Sequence, residues 1–244
     1  MGIEKCDAVV LRFADYKEAD RMLTLFSRQE GKISAAIKGV KKQKSKLRNG
    51  AELFALGEYT FNDKAGRLTV TGYDLMDTFY PLREDIVRLW CATLCVNAVE
   101  TVATSQPEPE LFDTLVFALS QLAYNEKASP LACLDCFFIG VLSIGGIFPV
   151  LNACACSGEK LYYSPKRNGF VCRDCKEPEY IRLDEKCMGI LKNEGLGRDE
   201  LFEMLTTVDE ASLKGLYRVL VAHASYCLDK HFKSADFLDT VLFQ

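Results

Sequence analysis

Ala8-Val9-Val10-Leu11, Met22-Leu23-Thr24-Leu25-Phe26, Ile33-Ser34-Ala35-Ala36-Ile37, Leu53 to Phe61 and Leu68 to Tyr73 are the apolar runs that organise the first third of this chain. They are short, rich in β-branched and aromatic residues, and closed off by turn formers at Gly31, Asn49-Gly50 and Asn62-Asp63. That is the pattern of β-strands rather than helices. Five strands in about 75 residues predict a small barrel. Strand count alone admits an OB-fold, the five-stranded Greek-key barrel that often binds oligonucleotides, and equally an SH3-like or other small β-domain.

Beyond Tyr80-Pro81 the period changes from two to about 3.6. Ile86, Leu89, Trp90, Leu94 and Val102 fall near one helical face, and Leu111, Leu115, Leu119 and Leu122 form a second stripe. Ser129-Pro130 is a cap and first-turn pair for a third helix. The pattern lapses between Asn152 and Pro178 into a Cys-rich insert, then resumes at Asp184 to Asn193, Arg198 to Leu205 and Asp209 to Phe232. The insert is therefore expected to sit on a helical domain without ending it.

At 244 residues, 49% of them hydrophobic and 26% charged, the chain has the make-up of a soluble globular protein of two or three modules. Met1 to Asp7 carries charges where a signal peptide needs its apolar core, and eleven cysteines without an export signal point to reduced thiols in the cytoplasm. Leu131 to Leu151 is long enough to span a bilayer, but Asp135, Gly145-Gly146 and Pro149 interrupt it, so a buried core helix is expected and no membrane association.

The net charge of −4 hides an uneven distribution. Residues 31–51 hold seven Lys or Arg and no acid, which leaves 23 bases against 34 acids, or −11, for the remainder. Such a body repels polyanions everywhere except at one patch. Within the patch, Lys38, Lys41, Lys42, Lys44, Lys46 and Arg48 lie among turn residues after a strand, where flexible cations can follow a phosphate backbone and release its counterions. The bland alternative is a solvated loop; surface charges are normally mixed in sign, which favours polyanion binding here. Tyr59, Phe61, Tyr73 and Phe79 could stack on bases beside the patch, though in a small barrel such aromatics are more often core.

Cys154-x-Cys156 and Cys172-x-x-Cys175 are separated by fifteen residues that contain Asn168-Gly169 as a turn. Four thiolates from two close pairs make a tetrahedral, coordinatively closed, structural zinc site for one ion. The first pair is one residue shorter than the usual knuckle, and Cys187 could substitute for a ligand. Cys133 and Cys136, flanked by Leu134, Phe137 and Phe138, read as core. No phosphate-cradling loop exists, and His223 and His231 neighbour no obvious nucleophile, so no catalytic residue is nominated.

Tyr16-Lys17-Glu18-Ala19-Asp20, Leu23-Thr24-Leu25-Phe26-Ser27, Glu30-Gly31-Lys32, Lys38-Gly39 with Lys41-Lys42 and Ser45, and then Phe138, Leu142, Gly145 and Pro149 before the cysteines resemble the RecO family of bacterial recombination mediators. The likeness touches residues 5–176, and the short Cys154-x-Cys156 pair departs from the family's commoner spacing. With it, the expected fold class is α+β multidomain: an N-terminal five-stranded OB-fold barrel over 1–80, then an α-helical domain over 81–244 carrying a four-cysteine zinc-ribbon-like insert at 152–178. The resemblance implies a non-enzymatic, nucleoid-associated mediator of recombinational DNA repair. It would bind single- and double-stranded DNA, anneal complementary strands and work with RecR to help load RecA onto strands coated by single-strand-binding protein, whose C-terminal tail would be a further partner. Two other classes stay open: a metal-dependent nuclease or other DNA-processing enzyme, and a helical protein-interaction adaptor.

Overall fold

The structure, a computed structural model, describes residues 4–193 and 196–242. Residues 1–3, 194–195 and 243–244 of the ranges expected above lie outside the described residues. β1 (Lys5–Tyr16), β2 (Asp20–Ser27), β3 (Gly31–Ile37), β4 (Leu56–Lys64) and β5 (Arg67–Asp77) close into a barrel in the order β1-β2-β3-β5-β4. All neighbours are antiparallel except β3 and β5, which run parallel through Ala35–Ile37 and Leu68–Val70, and β4 closes the barrel on β1. This is the small five-stranded barrel expected from the strand runs, and OB-like as the family resemblance implied.

The unbroken apolar run Ala8 to Leu11 has a physical reason. Alternate side chains of a strand point to opposite faces. Ala8 and Val10 join Leu23, Leu25, Ile33, Ile37 and Tyr59 inside the barrel, whereas Val9 and Leu11, with Phe26, pack into the core of the helical body.

Several strand boundaries differ from expectation: β1 runs on past Leu11 to Tyr16 and β5 past Tyr73 to Asp77. Leu53 to Ala55 do not belong to β4. Phe54 sits at φ +71°, its N–H bonds Val10 O at 3.0 Å, and its ring enters the helical core. The break expected at Asn62-Asp63 is displaced: β4 runs on to Lys64 and turns at Ala65-Gly66, both at positive φ, with the Asp63 carboxylate accepting from Gly66 N–H at 2.8 Å.

The helical body opens with α1 (Ile86–Val102), α2 (Pro109–Tyr124) and α3 (Pro130–Ile144). Asp85 caps α1 by accepting from the Val87 and Arg88 N–H groups, and Ser129 caps α3 through Leu131 N–H, as its sequence suggested. The α1 face read from the large apolar residues is the buried side in part: Leu94 is buried and Leu89, Trp90 and Val102 are half-buried against the core, whereas Ile86 is exposed and the rest of the buried side is Cys91, Ala92, Cys95, Val96, Ala98 and Val99. Small residues let α1 pack closely among the barrel, α2, α3 and a C-terminal helix, and a periodicity weighted to large side chains passes over them.

α3 ends at Ile144, short of the apolar stretch's end, and no described helix is long and apolar enough to cross a membrane. α4 (Glu185–Leu191), α5 (Arg198–Thr206) and α6 (Glu210–Cys227) follow. The single helix expected to reach Phe232 breaks after Cys227, where Asp229 adopts φ +46°, and a separate α7 (Lys233–Leu242) packs back on α1.

Barrel and helices are fastened at the β2–β3 turn. Gly31 sits at φ +68°, and a Cβ there would lie 2.2 Å from Gln106 O, so only glycine lets the turn approach the α1–α2 connection. Lys32 N–H bonds Thr104 O at 2.7 Å, its Nζ reaches Glu100 O at 2.9 Å, and Arg28 grips Asp113 through two bonds of 3.0 and 2.9 Å.

Candidate nucleic-acid interface and metal centre

The basic segment is the connection between β3 and β4. It forms successive turns held to the barrel at both ends: Val40 is buried, Leu47 is half-buried against the barrel core, Gly39 N–H bonds Asp20 Oδ1 at 2.8 Å, and Lys41 N–H bonds Ala19 O at 3.1 Å. Between these anchors the side chains of Lys38, Lys41, Lys42, Lys44, Lys46 and Arg48 are all exposed. The structure therefore presents the six cations together on an anchored loop.

Lys41 differs from the rest. Its Nζ lies 3.0 Å from Asp15 Oδ2, and this contact, with Arg21 behind it, holds the Asp15 carboxyl below its usual range. Arg21 stacks on Phe13 with 4.1 Å between guanidinium carbon and ring centroid and reaches Glu52 at 3.1 Å. Among the described residues, Lys38, Lys42, Lys44, Lys46 and Arg48 have no such acidic partner. Those five carry the unneutralised charge, whereas Lys41 pins the loop to the β1–β2 hairpin. The Asp15 contact was not legible in the sequence, because its partners lie 26 positions apart.

Of the aromatics considered beside the patch, Tyr59, Phe61 and Phe79 are buried and Tyr73 is half-buried against Tyr59. They are core. The exposed aromatic on the hairpin that anchors the loop is Tyr16, with Lys17 Nζ 5.3 Å from its ring centroid.

The cysteine insert folds as a small ribbon of β6 (Tyr162–Ser164), β7 (Gly169–Val171) and β8 (Ile181–Arg182), ordered β7-β6-β8. Its hairpin turns at Asn168, at φ +54°, and at Gly169, where a Cβ would meet Val150 O at 2.1 Å. The turn brings Cys154, Cys156, Cys172 and Cys175 together, with all four Sγ within 4.8 Å of one another.

Sulfurs around a tetrahedral ion with bonds of ~2.3 Å sit ~3.8 Å apart. Four cysteines at this spacing could hold a metal ion, and the short Cys154-x-Cys156 pair does not prevent it. Cys172 N–H donates to Cys154 Sγ at 3.3 Å, which draws that thiol down to about 7, toward the thiolate a metal requires. Cys175 is pushed up by its crowding against Cys156 and Cys172.

Cys187 is elsewhere: buried in the helical core, with Sγ 3.6 Å from Ser212 O. Cys133 and Cys136 are likewise buried core residues of α3.

His223 had no assigned role in the sequence; it docks the ribbon. Nε2 lies 2.6 Å from Ile147 O, which can only accept, so Nε2 carries the proton and Nδ1 accepts from Tyr163 O–H at 2.9 Å. Burial lowers the ring's pKa, against the opposing Ile147 hydrogen bond, in the direction that favours the neutral imidazole. Cys227 Sγ donates to Asn168 Oδ1 at 3.3 Å, adding a second tie from α6 to the hairpin turn.

Comparison with known proteins agrees with this layout. The family described as "Recombination protein O N terminal" matches residues 1–79, and "Recombination protein O C terminal" matches residues 83–236. Similar proteins, each named DNA repair protein RecO, come from Desulfitobacterium hafniense, 37% identical over 72% of this chain and 66% of the relative, from Acetivibrio thermocellus, 28% identical over 99% and 98%, and from Listeria monocytogenes, 29% identical over 74% and 72%. The Desulfitobacterium match thus spans just under two thirds of that relative's length. With both halves matched in order, the chain belongs to the RecO family of DNA repair proteins.

Proposed function

We propose that this chain binds single- and double-stranded DNA through Lys38, Lys42, Lys44, Lys46 and Arg48, with Lys41 positioning the loop. In this reading the protein anneals complementary strands and, together with RecR, helps load RecA onto strands coated by single-strand-binding protein. The observation that carries it is the cluster of exposed cations, free of acidic partners among the described residues, on the β3–β4 loop of a barrel in a RecO-family chain.

Exposed lysine side chains on this anchored loop contact phosphates without reading bases. Neutralising both strands lowers their mutual repulsion and leaves base edges free to pair, which is the physical basis of annealing. The helical body, 81–244 in this division, is the surface left for protein partners, and no nucleotide hydrolysis enters the scheme.

Zinc fits the ribbon best because four thiolates of tetrahedral spacing suit that ion, and its role there is structural: it holds Cys154, Cys156, Cys172 and Cys175, and thus the hairpin, in place. Replacing Lys42, Lys44 and Lys46 by Glu is expected to abolish oligonucleotide binding and annealing while the thermal melt stays unchanged. Binding equal to wild type would refute the interface. Scoring the same incubations for magnesium-dependent cleavage separates a mediator from a nuclease.

A further inference from the structure

The ribbon and α6 line an open cavity of about 680 Å³. Its walls include Tyr180, Tyr226, Pro178, Lys166, Glu177 and Glu179. Both tyrosines are open to solvent, Tyr180 at 41% and Tyr226 at 54% exposure, and neither belongs to a protein core.

Tyr180 is clamped on other sides. Lys176 Nζ lies 3.7 Å from its ring centroid, and Tyr162 meets it edge-on at 5.1 Å and 77°. Lys176, followed by Arg173 and Arg182, also draws the Tyr180 hydroxyl below its ordinary value, which places three cations within electrostatic reach of one exposed ring. A ring fixed in this way presents a flat face at little entropic cost, and cations beside it attract a polyanion.

We propose that this cavity is a second contact for single-stranded DNA, in which an unpaired base stacks on Tyr180 or Tyr226 while Lys166, Arg173, Lys176 and Arg182 face the flanking phosphates. The inference rests on the DNA-binding reading above and extends it from the barrel loop to the ribbon. Glu177 accepts from Ser164 Oγ at 3.2 Å through one oxygen and keeps the other, and Glu179 adds a second carboxylate to the lining. Carboxylates repel phosphate and accept from exocyclic amino groups, so they turn the base edge inward and favour cytosine, an amino donor, over thymine.

The test uses the full-length, metal-loaded protein with oligodeoxycytidine and oligothymidine of equal length, each also prepared with a photoreactive pyrimidine. Wild type is expected to bind the cytidine strand more tightly and to crosslink to the peptide containing Tyr180 or to the one containing Tyr226. Tyr180→Ala with Tyr226→Ala should weaken binding by about 5- to 150-fold with an unchanged salt slope, and Tyr180→Phe should retain it.

Wild-type affinity in the double Ala variant overturns the inference, as do crosslinks confined to the barrel, equal binding of the two strands, or a Phe variant as weak as the Ala variant. In each of these cases the Lys42, Lys44 and Lys46 reversal still reports separately on the barrel loop. Failure of wild type to bind either strand at low salt removes the DNA-binding reading and this inference together.

Discussion

At the scale of single residues, Asp135 is the least expected feature of the helical body. It is fully buried on α3, and neither carboxylate oxygen has a hydrogen-bond partner among the described residues. Burial, and secondarily Glu210, raise its pKa well above the ordinary value, so it is carried as the neutral acid. An unfolded carboxyl titrates near pH ~4, and above that the folded state holds a proton the unfolded chain has lost. The contribution of this group is therefore fully present below about pH 4 and declines by up to about 1.4 kcal/mol per unit as pH rises toward the folded pKa. Asp135→Asn removes the titration. The variant should gain stability relative to wild type as pH rises above about 4 and lose that advantage near pH ~4, measured by urea unfolding across the range; a pH-independent difference would show that Asp135 is not held protonated.

Elements depend on a few such positions. Gly31→Ala puts a methyl into Gln106 O at a left-handed φ and is expected to cost ~2 kcal/mol or more, read as a drop in melting temperature, because the β2–β3 turn can no longer seat on the helices. An unchanged melt would mean that this fastening is dispensable. In the ribbon, chelation or Cys172→Ser should remove near-stoichiometric zinc and expose the hairpin to protease while the barrel stays intact; full retention of metal in the Ser variant would contradict four-thiolate coordination.

Much of this was legible in the sequence. Strand runs, the Ser129 cap and the two cysteine pairs follow from local chemistry, and local chemistry is what a sequence displays. The misread portions were decided by tertiary contacts. Phe54 looks like a strand residue but turns into the helical core, Asp63 looks like a break but caps a later turn, and the helix at Cys227 stops for a residue at positive φ that no turn dipeptide announces. In the candidate interface the cations were readable as a run, whereas the Lys41–Asp15 pair and the His223 dock depend on residues brought together from far apart in the chain.

Across the whole molecule, charge separation is the property that matters. A body with an excess of acids carries one anchored basic loop, so on the proposed reading a polyanion such as DNA would be drawn to that loop and repelled from most of the acidic remainder. The core shared by Val9, Leu11, Phe26 and Phe54 with the helices ties that loop's barrel to the helical body, so under the proposed function a strand on the loop would move together with any partner on the helices. The most direct test is the dependence of single-strand affinity on salt. If the five cations without acidic partners contact phosphate, log affinity against log salt should fall with a slope of about −3.5, and neutralising Lys42, Lys44 and Lys46 to Gln should reduce it to about −1.4. An identical slope and affinity in the Gln variant would contradict the assignment of this loop as the DNA interface.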